Sequence, residues 1–190
     1  MKKFMIRIKN LDAMLLTSFI STLFYSASGP CINKTLMLYV SEKHIAASQL
    51  TSCLGTVIFG FLWDKKSEKL FNYYAVFCII EIIFEVVATT LVVTTSNIIA
   101  YYILEMIIYA VITRNIICGG NLLRSLRYRD ETRAKYDNNY NIATAVASII
   151  GSLLAIKFDL SFVAMIIIAT IGNVIDDLFY IGIYYKTKER

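Results

Sequence analysis

The chain has 190 residues, of which 57% are hydrophobic and 17% charged, and its mean hydropathy of +0.61 excludes an ordinary water-soluble globular domain. One Pro and eight Gly leave the apolar runs almost uninterrupted, and each run is about twice the ~10 residues of a barrel strand, which favours long helices over a β-barrel. The net charge of +5 follows the placement of loops described below and requires no nucleic-acid partner.

In chain order, the apolar runs predict six transmembrane helices over residues 11–29, 45–63, 70–93, 98–120, 140–157 and 160–184. All but the fifth approach the ~20 residues that cross a ~30 Å hydrocarbon core, and the fifth does so only when Tyr140 and Asn141 are counted. No linker or low-complexity tract separates the runs, so residues 1–190 read as one six-helix membrane domain of the all-α class. The first run also has features of a secretory signal peptide, with a basic start, an apolar stretch from Ala13 to Tyr25 and small residues from Ser26 to Gly29, but its cleavage site is poorly defined. Cys31, Cys53, Cys78 and Cys118 show no paired spacing and read as small buried apolar residues.

Orientation follows from the basic residues, which are retained on the cytoplasmic side. With both termini inside, fifteen of the 19 Lys and Arg fall in cytoplasmic segments, among them Lys2, Lys3, Arg7, Lys9, Arg129 and Arg190. Lys34, Lys43 and Lys157 fall outside, and Arg114 lies within the fourth run. The expected location is the cell membrane, multi-pass.

Between the second and third runs stands Gly60-Phe61-Leu62-Trp63-Asp64-Lys65-Lys66-Ser67-Glu68-Lys69, with residues 64–69 expected as a short cytoplasmic loop. Gly60, Asp64, Lys65 and Lys69 in this arrangement resemble the loop signature of the major facilitator superfamily (MFS) of transporters. Ser67 replaces the usual Gly, and Glu68 stands where a basic residue is common. An acid at a helix end beside a basic loop can hold neighbouring helix ends and release them when helices rock, so Gly60, Asp64, Lys65 and Lys69 are a candidate conformational latch. The alternative is a solvated positive loop. In the fourth run, Arg114 followed by Gly119 and Gly120 is similar to the family's intramembrane Arg with a Gly shortly after it, although Cys118 takes the nearest Gly position. Arg114 therefore either faces a cavity or carboxylate or snorkels to the inner interface.

The resemblance covers the chain as one MFS half-bundle. It implies a half-size permease that acts as a homodimer or with a second six-helix half and transports a small solute. Alternating access needs two bundles around a shared site. Ala143, Ala147 and Gly151, four residues apart in the fifth run, would pack closely against a neighbouring helix.

The remaining buried charges are functional suspects by default. Glu81 and Glu85 lie one turn apart on one face, and Glu105 enters at a similar depth from the opposite surface, so the three are candidates for proton or ion coupling. Nine residues of α-helix place Glu105 and Arg114 on opposite sides, which makes Asp176 or Asp177 the expected buried partner of Arg114. His44 reads as an ordinary residue near an external helix start. With only Cys31 and Cys53 near it in sequence, it forms no recognised catalytic motif, so no enzyme activity, metal or cofactor is expected. The alternative to a transporter is a non-transporting membrane interaction protein of the accessory or immunity type.

Overall fold

The computed structural model describes residues 12–128, 130–158 and 161–189, and every regular element among them is helical. The helices are α1 (Ala13–Tyr39), α2 (Glu42–Asn72), α3 (Tyr74–Thr95), α4 (Ile98–Arg127), α5 (Asp130–Lys157) and α6 (Phe162–Lys188). Each is long and apolar enough to span a membrane; even α3, with 22 residues, extends ~33 Å at 1.5 Å per residue. Val57, Ile58, Ile83, Val87, Ile149 and Leu153 are exposed on the outside of the bundle, as suits a surface solvated by acyl chains. The expected starts at Leu11 and Leu160, and Lys2, Lys3, Arg7, Lys9, Arg129 and Arg190, lie outside the described residues.

Five of the six helices run longer than expected, while α3 starts at Tyr74 instead of Leu70 and is two residues shorter. α1 continues through Pro30 to Tyr39 instead of stopping at Gly29, because a membrane helix tolerates a proline where neighbouring groups take up freed backbone carbonyls. The carbonyl that Pro30 frees is that of Ser26, four residues back; in the turn before it, Ser28 Oγ donates to the Phe24 carbonyl at 2.8 Å. The expected loop from Asp64 to Lys69 is also corrected: α2 carries helix to Asn72, interrupted only by a kink at Lys66 (φ −135°, ψ 26°), and the chain reverses at Tyr73. No Gly or Pro follows Asp64, while Leu70 and Phe71 pack against the core and hold this last stretch in place. At the other end of α3, Ser96 takes a left-handed conformation (φ 55°), and Asn97 caps α4 by accepting from the Ala100 N–H at 3.0 Å.

α1 packs most extensively against α5 and α6, and α3 lies along α6. The α1–α5 contact depends on small residues. Ala147 is fully buried, and Gly151 lies so close to the Leu23 carbonyl and Ser26 that any β-carbon there would collide with them. Ala143 is half-buried along the same stripe, and Ser26 donates to Ser148 at 3.3 Å beside it.

Two apolar clusters close the bundle at its ends. Met14, Trp63, Tyr74, Leu123, Tyr136 and Tyr184 form one, at the end that carries Asp12 and Lys188. Ala88, Val92, Tyr101, Ile108 and Ile166 form the other. Polar side chains concentrate between them.

Candidate functional site

A polar ladder runs along the α3–α6 contact. Thr89 and Thr170 share a hydrogen bond, and Glu85 Oε1 accepts from Asn173 Nδ2 at 2.9 Å one turn further along. The next rungs are Glu81, which accepts from the Thr113 hydroxyl of α4, and Asp177, which lies beside Cys78. The helices are antiparallel, so residues four apart on each meet in sequence: Glu85 opposite Asn173, Glu81 near Asp177. Glu81, Glu85 and Asp177 are 7%, 5% and 4% exposed, yet no Lys or Arg forms an ion pair with them among the described residues. Asp177 Oδ2 has no hydrogen-bond partner among the described residues.

Beside the ladder lies a cavity of about 670 Å³, walled by residues of α1, α2, α3, α4 and α6, among them Leu36, Ser48 and Tyr101 in the half of the bundle toward Ser41 and Ser96. Glu85, Glu105, Arg114 and Asn173 all line it. The expectation that Glu105 and Arg114 face opposite ways is corrected. Residues Ile108–Thr113 form a π-helical turn, whose i→i+5 bonds take up an extra residue. The interval between Glu105 and Arg114 therefore no longer equals two and a half α-turns, and both side chains reach the same space.

Arg114 does not snorkel toward the end of α4 at Arg127. Its guanidinium turns back along the helix, stacks over the Tyr109 ring at 4.7 Å and donates to Ser52 Oγ of α2. Among the described residues its Nε has no hydrogen-bond partner, and neither has Glu105 Oε1, although Tyr101 lies beside the latter carboxylate. Close approach of α2 makes the Ser52 contact possible: Gly55 presses on the Ala110 carbonyl of the π turn, where a β-carbon would collide with the oxygen.

The expected pairing of Arg114 with Asp176 or Asp177 does not form. The reversed direction of the Arg114 side chain carries its charge to Ser52 and Tyr109, while Asp176 lies beside Ser21 and within electrostatic reach of Arg124. Gly60, Asp64, Lys65 and Lys69 are exposed on α2, remote from the cavity, and Asp64 makes no ion pair among the described residues. His44 is occupied near Ser41, with Nδ1 2.7 Å from Ser41 Oγ and its carbonyl accepting from Tyr102 at 2.9 Å.

Sequence reasoning passed over Asn173, Ser52 and Tyr109, which are ordinary residues in an apolar run until the fold pairs them with a charge. It also missed the clasp at the charged end, where Asp12 caps α1 at the Met14 N–H, accepts from the Tyr128 hydroxyl and pairs with Arg127 at 3.7 Å. Burial, followed by the hydrogen bond to Asp12, pushes the Tyr128 hydroxyl above its ordinary range. Comparison of the chain with family models, curated proteins and solved structures returns no match.

Proposed function

We propose that this chain is a half-size, MFS-like membrane transporter for a small polar solute, working as a homodimer or with a second six-helix half. The observation that carries the reading is the cavity, which sets two carboxylates and a guanidinium inside a bundle whose outer surface is apolar. Charges at membrane depth are costly, and a structural role would pair them with one another. Here they line open space instead. The volume is in the range of sites that enclose small molecules.

Glu81 and Glu85 are the coupling groups in this proposal. Both sit in the α3–α6 contact on neutral donors, so gain or loss of a proton changes the charge of the surface along which these helices meet. The second bundle that alternating access needs would meet this one across α2. That helix makes few contacts within the chain and presents Gly60, Asp64 and Lys65 at its surface, where a latch would act between chains.

The test is reconstitution in liposomes containing a pH-sensitive dye, with a panel of small amines, carboxylic acids and amino acids applied outside. Solute-dependent proton movement in wild type that is abolished by Glu85→Gln, with downhill solute exchange retained, is the expected result. Gln keeps shape and hydrogen bonding to Asn173 but does not titrate. A protein that is monomeric in mild detergent and in lipid, and moves no solute, would sink the proposal in favour of a non-transporting interaction protein.

A further inference from the structure

We infer that the cavity binds an amphoteric solute, with its cationic amine on Glu105 and its carboxylate on Arg114. The inference rests on the transport reading only for the fate of the solute; binding stands apart from it. Opposite charges line one cavity, and no ion pair joins them, although a carboxylate and a guanidinium within 4.0 Å would count as one. Each is held away from the other by its own contacts. Arg114 is drawn to Tyr109 and Ser52, and Glu105 lies beside Tyr101. Among the described residues neither Arg114 Nε nor Glu105 Oε1 has a hydrogen-bond partner.

A solute with a single charge would satisfy one of these groups and leave the other uncompensated in a low-dielectric space. A solute with both charges satisfies the two together. Glu105 and Arg114 are nine residues apart, and the guanidinium lies at the level of Tyr109. The charged heads are therefore about 6 Å apart along the helix axis at 1.5 Å per residue, with any lateral offset added to that. That spacing favours an ω-amino acid with its charges several carbons apart over an α-amino acid. Glu85, the other carboxylate of the cavity, is bonded to Asn173 across the α3–α6 contact, whereas the hydrogen-bonding neighbour of Glu105, Tyr101, lies on its own helix, so Glu105 can turn to the amine without parting two helices.

The experiment is calorimetric titration of the purified full-length protein with glycine, 4-aminobutyrate and 6-aminohexanoate, beside butylamine and butyrate as single-charge controls. At least one ω-amino acid should bind about tenfold or more tightly than either control, because two charge-assisted contacts form where each control forms one. Glu105→Gln should remove the advantage over butyrate and leave butyrate binding unchanged. Arg114→Gln should remove the advantage over butylamine. Tyr109→Leu, which releases the guanidinium without removing it, guards against a variant that fails to fold and should weaken the amino acid and butyrate together. Equal affinity for amino acids and controls, or no binding of any probe to wild type, overturns the inference. Binding of an ω-amino acid without transport in liposomes would keep this site and remove the transport reading. Transport of a singly charged solute in preference to every amino acid would do the reverse.

Discussion

The indole N–H of Trp63 donates to Asn115 Oδ1 at 3.0 Å, a buried bond that ties α2 to α4 within the apolar cluster at the charged end. Asn115 in turn donates to the Val111 carbonyl at 2.7 Å, inside the π turn. Trp63→Phe fills most of the same space but leaves Asn115 Oδ1 without a donor away from water, and should cost about 1 to 2 kcal/mol. Thermal unfolding in detergent measures it. An unchanged midpoint would show that the bond contributes nothing to the packing of α2.

Gly55→Ala tests whether contact with the π turn sets the cavity. The added methyl meets a backbone oxygen, which cannot rotate away as a side chain can, so α2 must shift. Overpacking of this kind costs about 1 to 3 kcal/mol. Ser52 would move off Arg114, and ω-amino acid binding should fall with stability. Full binding at reduced stability would separate the cavity from the α2–α4 contact.

The Asp12 clasp predicts an alkaline limit to stability. Because the folded-state Tyr128 hydroxyl is raised above its unfolded value of about 10, the unfolded chain loses this proton first. The stability tied to Tyr128 is therefore fully present below about pH 10 and is lost as pH rises above it. Tyr128→Phe should lower stability at pH 7 by about 1 kcal/mol and flatten the decline between about pH 10 and 11. Parallel pH profiles of the two proteins in unfolding experiments decide the point. Identical slopes would remove Tyr128 from the alkaline transition.

Loop charge predicts the orientation. Single cysteines at Ser41 and Ser96 should react with an impermeant thiol reagent applied outside cells, and cysteines at Ser67 and Ser125 should not. Labelling in the opposite pattern would invert the topology and place the half of the bundle that holds the cavity toward the cytoplasm.

Six apolar helices were legible from the sequence because hydrophobic run length is a local property, measured against a fixed bilayer thickness. The small-residue stripe at Ala143, Ala147 and Gly151 could be read from its period alone. Which groups meet was not legible. The partner of Arg114 depended on a π turn that no residue pattern announced and on the approach of Gly55 from another helix. The α3–α6 ladder likewise needed the antiparallel register that puts Asn173 opposite Glu85. Apolar periodicity says that a charge at membrane depth must be satisfied; only the packing of helices distant in sequence decides by what.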